Sequence, residues 1–454
     1  MTEKQQTVIT RFPPSPTGKL HIGNARTALF NYLFAKHHRG TIILRFEDTD
    51  RARSKKEYEE NILDALTWLG MEFAETYRQS ERTETYRKYL EELLAKNLAY
   101  VSNEKDNEGK KGSVIRFRNP NKKITFSDLI RGDITFDTEE LGDFVIARSI
   151  DDPIYHFAVV VDDFEMGITH IIRGEDHISN TPRQILIQEA IGAPRPVYAH
   201  LPLILSKDRS KLSKRGGAVA TTDYRKEGYL PEAIINYLAL LGWNPGTPQE
   251  IFTLQQLIEQ FDITKIQKSG AVFDVEKLKW INKEHIKLLT RDAFRSMVMQ
   301  YVPELLQNSP GSLEIMERLL PLIQEKTEIL CDVRQQFEQG EYDYAFADLA
   351  PYDVDKLMWK DEKNPQKTAE KLSKVLEIIS LIPLDIFSEI SVKEKLWNFA
   401  TEAGRGSVLW PMRYALSGRE RSPDPFSLCF ILGKEKALKR LRAAILALGN
   451  HQTD

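Results

Sequence analysis

The chain has 454 residues, 41% hydrophobic and 28% charged, which is too apolar for wholesale disorder and suggests about three domains at roughly 150 residues each. Lys and Arg number 63 against 66 Asp and Glu, so the net charge of −3 gives no basic footprint over the whole chain. Two cysteines, Cys331 and Cys429, exclude a disulfide framework or a Cys-rich metal site and read as buried core thiols. The opening MTEKQQTVITRF has no apolar signal core, and no apolar run reaches the ~20 residues of a membrane helix. A soluble, cytoplasmic protein is expected.

Residues 8–12 predict a short strand, 13–18 a Pro/Gly/Ser loop, and Asn24 a helix N-cap. Ala25, Ala28, Leu29, Tyr32 and Leu33 then recur at helical spacing up to Gly40. TIILRF over 41–46 reads as a buried strand, which makes this the opening of a parallel α/β sheet. Residues 58–96 predict two helices, the first stopping at Gly70. Residues 100–112 read as a polar loop, and 114–150 as a small, turn-rich β-containing insertion. IYHFAVVV, from Ile154, and ITHIIR both read as buried strands. Thr181-Pro182 opens a helix, and 197–205 predicts a last strand. Residues 231–241 form an amphipathic helix stopped by Gly242, and Asp274 caps the helix that carries Leu278 and Trp280. From Thr290 onward apolar residues mostly recur at helical spacing.

Two segments carry chemistry. In PPSPTGKLHIGN, residues 13–24, a turn at the carboxyl end of a first strand leads into a helix. Such a turn points N–H groups and the positive end of the helix dipole at a ligand, and suits phosphate. His21 can donate to a phosphate oxygen, and Gly23 leaves room for a close-lying ligand. For H-I-G alone, a Pro-rich turn with a surface histidine is the competing reading. In SKDRSKLSKRGG, residues 206–217, Lys207, Arg209, Lys211, Lys214 and Arg215 outnumber Asp208 for a local charge of +4. A lysine loop closing over polyphosphate can stabilise charge that develops in a transition state. A solvated basic loop is the alternative.

Together these segments resemble the signatures of class I aminoacyl-tRNA synthetases, with HIGN at the HIGH-type position and KLSKR at the KMSKS-type position. RFPPSPTGKLHIGNARTALFN, LRFEDTDRAR, YHFAVVVDDFEMGITHIIRGEDHISNTPRQ and LWPMRYALSGRERSP narrow the resemblance to bacterial-type glutamyl-tRNA synthetases, over nearly the whole chain. The resemblance implies an α/β, Rossmann-like catalytic domain split by a small α+β insertion and followed by an all-α C-terminal half. The expected boundaries are catalytic halves at 1–84 and 151–205, and an acceptor-binding insertion at 85–150. A KMSKS-type loop and stem-contact region follows at 206–289, then an anticodon-binding region at 290–454.

The implied activity is ATP-dependent activation of L-glutamate to glutamyl-adenylate, then transfer to the 3′ end of tRNA(Glu), with tRNA(Gln) as a further or preferred acceptor in variant enzymes. Arg11, Ser15, Glu47, Tyr155 and Arg173 match the family's glutamate-binding positions. Arg173 is placed for the side-chain carboxylate, which a planar guanidinium can bind bidentately, and Glu47 for the α-ammonium. His21, Gly23, Asn24, Asp176, His177 and Lys214 match ATP contacts. His21, Lys211 and Lys214 match the catalytic positions, with Lys214 on the pyrophosphate. Mg²⁺ is expected to arrive with ATP, held by phosphates and water rather than by side chains. Residues 100–113, YVSNEKDNEGKKGS, contain no Cys, so no structural zinc is expected. Val159 stands where some relatives have an asparagine near the substrate. A monomer is the family norm. A second basic stretch, Lys434, Lys436, Lys439, Arg440 and Arg442, is expected to offer charge to RNA. A small-molecule nucleotidyltransferase sharing the H-I-G turn, or a catalytically dead RNA-binding module, is the out-of-class alternative.

Overall fold

In a computed structural model, residues 7–105, 111–212, 220–308, 311–349, 351–362 and 364–450 are described. Lys214 and Arg215, and residues 106–110 of the segment expected to lack zinc, lie outside them. Strand β1 (Ile9–Phe12), helix α1 (Ile22–His37) and strand β2 (Thr41–Phe46) make a parallel unit with Arg11 opposite Ile43. Helix α2 (Lys56–Trp68) leads to β3 (Glu75–Arg78), which pairs in parallel on the far side of β2. Sequence reading missed β3 because ETYR is polar and partly exposed, with no apolar run to mark it. Helix α1 buries residues on nearly every face, among them Ala25, Leu29, Phe30 and Leu33. Its N-cap is His21, not Asn24: the backbone there is extended, and the His21 ring accepts the Asn24 N–H.

After α3 (Thr83–Ala95) come strands β4 (Ala99–Lys105), β5 (Lys111–Phe117), β6 (Lys123–Asp128), β7 (Gly132–Asp137), β8 (Phe144–Ser149) and β9 (Asp152–Pro153). The expected polar loop at 100–112 is instead the two arms of β4 and β5, paired antiparallel with Tyr100 opposite Arg116. Sheet pairing there overrides a composition that is polar because the strands are largely exposed. β6 and β7 form a hairpin, and β6 also joins the central sheet through Asp128 opposite Tyr198.

The IYHFAVVV run is a helix, α4 (Tyr155–Glu165), not a strand. Its residues Phe157 to Asp163 are buried without a break. Burial on every face removes the periodicity that would tell helix from strand. Strand β10 (His170–Gly174), helix α5 (Thr181–Ile191) and strand β11 (Val197–Leu201) follow, in a sheet ordered β10-β11-β6-β7. Ile9 and Thr169 bond through both their backbones, at 3.0 Å from Thr169 N to Ile9 O, and through the Thr169 hydroxyl at 2.8 Å. This ties the start of β1 to the start of β10. The expected strand at 197–205 is broken at Pro202, which has no N–H to give a ladder, and resumes as β12 (Ile204–Leu205). Helices α6 (Thr221–Glu227), α7 (Pro231–Leu240) and α8 (Leu254–Gln260) lead to β13 (Ala271–Val272), parallel to β12, and then to α9 (Val275–Leu288). Asp274 Oδ1 accepts the Glu276 N–H at 3.0 Å, the expected cap.

The chain divides into two compact units, residues 1–285 and 286–454. In the second, the described secondary structure is helical, with Leu372, Val375, Leu396, Met412 and Leu441 fully buried in its core. Cys429 is buried there, and burial pushes its thiol well above the usual range, whereas Cys331 is only partly covered. The expected basic stretch is largely turned inward. From the helix Lys434–Gly449, Lys434 Nζ donates to Ser380 O at 2.8 Å and Lys436 Nζ to Ala345 O at 3.0 Å. Arg440 is buried and donates to Leu416 O at 2.5 Å and Ala347 O at 2.8 Å. These acceptors are carbonyls at or just past the ends of other helices, which lack intrahelical partners and favour a cation. Lys439 and Arg442 remain exposed.

Candidate active site

The carboxyl ends of β1, β2 and β10 bring together four buried charged residues that begin the site. Arg11 donates from Nε to Asp163 Oδ1 at 3.1 Å and from Nη2 to Oδ2 at 3.4 Å. Arg45 donates to the same Oδ1 from Nη1 at 2.7 Å, and to Glu47 Oε1 from Nη2 at 3.2 Å. Burial would raise the Asp163 carboxyl, but Arg11 and Arg45 outweigh it and hold it below the usual range. Glu47 goes the other way: burial raises it to about 7, with Arg45 and Arg11 offsetting only part of that. Arg11 Nη1 is buried with no hydrogen-bond partner. The next acid along α4, Asp162, accepts from Gln79, Arg82 and Tyr86 and ties α4 to the β3–α3 segment.

Arg173, at the end of β10, is buried, and burial lowers its pKa. Its partners are all uncharged: His200 Nε2 at 3.1 Å from Nε, Gln184 Oε1 at 2.8 Å from Nη1, and Thr181 Oγ1 at 2.9 Å from Nη2. Tyr155 lies 3.4 Å by its hydroxyl from His177 Nδ1. Burial raises the Tyr155 phenol, and the charges of Glu47, Arg173 and Arg11 all act on it. Four of the five expected glutamate positions therefore share one electrostatic neighbourhood. The fifth, Ser15, is exposed on the loop beyond β1, where its carbonyl accepts the Thr17 N–H at 2.8 Å. The same loop is pinned to Glu47, whose N–H donates to Pro14 O at 3.0 Å. Val159 is buried in α4.

The two sequence signatures meet. His21 forms a β-bridge with Ala220, just past the lysine loop, and Thr221 N donates to Leu20 O at 2.8 Å. Lys211 Nζ pairs with Asp176 Oδ2 at 2.8 Å. Burial would raise Asp176, but the Lys211 bond outweighs it and the carboxyl sits low. Burial, then the Arg173 charge, brings His177 down to about 4, so it is neutral at pH 7. A Cβ at Gly174 would stand 2.5 Å from Asp176 Oδ1, so any side chain there would displace the carboxylate that Lys211 holds. His21, Gly23, Asn24, Arg173, Asp176, His177 and Lys211 line one cavity of ≈ 340 Å³. Arg11, Ser15, Glu47 and Tyr155 do not line it, so Arg173 is where the expected nucleotide and glutamate groups join. Among the described residues no cluster of His, Cys, Asp or Glu has metal-binding geometry.

Sequence reasoning missed Arg45, Asp163, His200 and Asp128. The signal for Asp163 was available, since two adjacent acids ending an apolar run cannot be buried without cations. His200 inside the apolar strand VYAHL carried a similar one.

The family model for tRNA synthetases class I (E and Q), catalytic domain, matches residues 7–113 and 102–280, and the anticodon binding domain model matches 293–445. The fold and the site define a class I aminoacyl-tRNA synthetase. The glutamate–tRNA ligase of Aquifex aeolicus (strain VF5) is 39% identical, with 96% of this chain and 98% of that protein covered. That of Carboxydothermus hydrogenoformans is 40% identical over 96% and 99%. A crystal structure of a glutamate tRNA ligase from Elizabethkingia meningosepticum CCUG26117, in complex with its amino acid, superposes with a TM-score of 0.80 at 33% identity, over 98% of this chain and all of that one. The chain belongs to the glutamate–tRNA ligases. Matches of this extent overturn the small-molecule nucleotidyltransferase alternative, which leaves the helical half without a purpose.

Proposed function

We propose that this ligase charges tRNA(Glu) using the residues located above, each in the role its family position implies. The observation that carries the reading is Arg173, a buried cation whose partners are all uncharged. The side-chain carboxylate of glutamate supplies the missing counter-charge. Glutamine presents an NH₂ group to the same donors, and a site that reads polar groups this way discriminates by roughly 10⁴–10⁵. Arg11 Nη1, buried and unpartnered, is a second donor toward the amino acid. Glu47 takes the α-ammonium, Tyr155 walls the pocket, and Ser15 closes it from the loop.

On the nucleotide side, His21, Gly23 and Asn24 receive ATP at the start of α1, with Asp176 and His177 flanking it. ATP enters as its Mg²⁺ complex, the substrate species. A glutamate α-carboxylate oxygen attacks the α-phosphorus, the new P–O bond forms as the bond to pyrophosphate breaks, and Lys211 and Lys214 stabilise the leaving charge. Lys211 exchanges Asp176 for phosphate as it does so. The terminal ribose hydroxyl of the tRNA then attacks the glutamyl carbonyl and AMP leaves. No side-chain nucleophile takes part; positioning and electrostatics carry both steps. Residues 1–84 and 151–205 supply the catalytic core, 85–150 the acceptor-binding insertion, 206–289 the loop and stem contacts, and 290–454 the anticodon-binding region. The enzyme acts as a cytoplasmic monomer; no helix among the described residues is long and apolar enough to cross a membrane.

Charging purified tRNA(Glu) and tRNA(Gln) with labelled glutamate tests the proposal. Transfer to tRNA(Glu) is expected, transfer to both defines a non-discriminating enzyme, and transfer to neither refutes the reading. Lys214→Ala is expected to lower kcat by on the order of 10²–10³ while the protein stays folded; wild-type turnover removes Lys214 from its role.

A further inference from the structure

Behind Arg173 stand two buried residues that no substrate role accounts for. His200 Nε2 accepts from Arg173 Nε, and His200 Nδ1 lies 2.6 Å from Asp128 Oδ2. Both are at most 3% exposed. Their chemistry assigns the protons. A guanidinium offers donors only, so Nε2 presents its lone pair, and a carboxylate accepts only, so Nδ1 carries the hydrogen. The imidazole is therefore neutral and in one tautomer. Asp128 is itself clamped, with Oδ1 accepting the N–H groups of Ile130 at 3.0 Å, Arg131 at 2.9 Å and His200 at 3.3 Å. The chain crosses the fold, because Asp128 ends β6 of the inserted hairpin, His200 lies in β11 and Arg173 in β10.

This arrangement resolves a conflict that a buried substrate-binding arginine always faces. A carboxylate directly on Nε would fix the guanidinium plane but neutralise it and compete with the substrate. An apolar neighbour would leave the charge available but the buried Nε–H unpaired, with Gln184 and Thr181 alone to hold the plane. A neutral imidazole does neither: it accepts the Nε–H, while the Asp128 charge that locks it sits one ring further away. The same logic orients metal-ligating histidines through a carboxylate behind the ring. We infer that Asp128 and His200 are positioning residues that set the plane of Arg173 and keep its charge for the substrate's side-chain carboxylate, and so govern glutamate affinity and selection against glutamine. This rests on the reading of Arg173 given above.

The test compares His200→Leu, His200→Gln, Asp128→Asn and Arg173→Gln in steady-state tRNA charging, with thermal melting of each. His200→Leu is expected to raise KM for glutamate by roughly 10–100-fold, leave KM for ATP within about twofold, and narrow the preference for glutamate over glutamine. His200→Gln places an amide oxygen that can accept from Arg173 Nε, and is expected to recover most of the loss. Asp128→Asn releases the tautomer and raises KM for glutamate by a smaller factor. A folded His200→Leu enzyme with wild-type KM for glutamate overturns the proposal, as does equal impairment of the Leu and Gln variants. If His200→Leu does not fold, an unchanged KM in Asp128→Asn overturns it. Arg173→Gln separates the layers: wild-type glutamate KM in that variant removes the reading of Arg173 itself, whereas a large rise there with none in His200→Leu removes only the positioning role.

Discussion

Glu47 is a carboxyl buried beside two guanidiniums, yet burial prevails and its pKa stands at about 7 against an ordinary 4.5. The folded protein therefore holds a proton there that the unfolded chain has lost between those two values. Its contribution to stability falls as pH rises from about 4.5 to about 7 and is constant above. Binding an α-ammonium requires the carboxylate, so kcat/KM for glutamate is expected to decline as pH drops through about 7. Glu47→Gln is expected to lower kcat/KM and flatten that acid limb. The same limb in the variant would assign the ionisation to another group. Lys211 makes a contrasting case, since its ion pair with Asp176 is about half exposed. Exposed pairs are worth about 0–1 kcal/mol, so Lys211→Ala is expected to leave the melting transition nearly unmoved. Its kcat is expected to fall by on the order of 10²–10³. A variant that melts early with normal kcat would make Lys211 a structural residue instead.

Elements were legible in the sequence where spacing, a turn or a stop residue marked them, and hidden where an apolar run fits helix and strand alike or where a strand is polar. α1 announced itself by spacing and β2 by its apolar run, and the first signature loop fell between strand β1 and helix α1 as expected. α4 did not, because a helix buried on all faces and a central strand present the same uninterrupted apolar residues. β3 and β4 failed in the opposite sense, being polar strands specified by their partners rather than by themselves. The helix Lys434–Gly449 shows the same limit for charge: five cations in a row of sequence separate in space into three that serve carbonyls and two that face water. Arg440→Met removes charged donors from two carbonyls, Leu416 and Ala347, at about 1.5–3 kcal/mol per bond. Denaturant unfolding is expected to show a loss of about 3 kcal/mol or more for that variant and within ±0.5 kcal/mol for Lys439→Met or Arg442→Met. Equal losses across the three would place Arg440 on the surface with the others.

Across the whole molecule, the net charge of −3 first argued against a nucleic-acid partner, and the fold explains why that sum misleads. A few cations are used internally, Arg11 and Arg45 on Asp163, Arg82 on Asp162 and Arg440 on helix ends, so what a nucleic acid meets is the placement of the exposed cations and not the sum. The site itself was half legible, since positions matched to a family name the groups expected to face substrate but not the buried acids and histidine beside them, which carry no motif. The split between buried and exposed charge makes a prediction about salt. The proposed glutamate pocket uses Arg11, Glu47 and Arg173, all buried, where mobile ions screen little. A tRNA must be met by exposed cations, such as Lys207, Arg209, Lys211, Lys439 and Arg442, and their phosphate contacts release counterions. Raising salt from about 50 to about 200 mM is therefore expected to increase KM for tRNA severalfold or more, with log KM linear in log salt. KM for glutamate, measured at saturating tRNA over the same range, is expected to change by less than about twofold. Parallel rises in both constants would mean that the substrate carboxylate meets its arginine in open solvent, and would count against a closed pocket around Arg173.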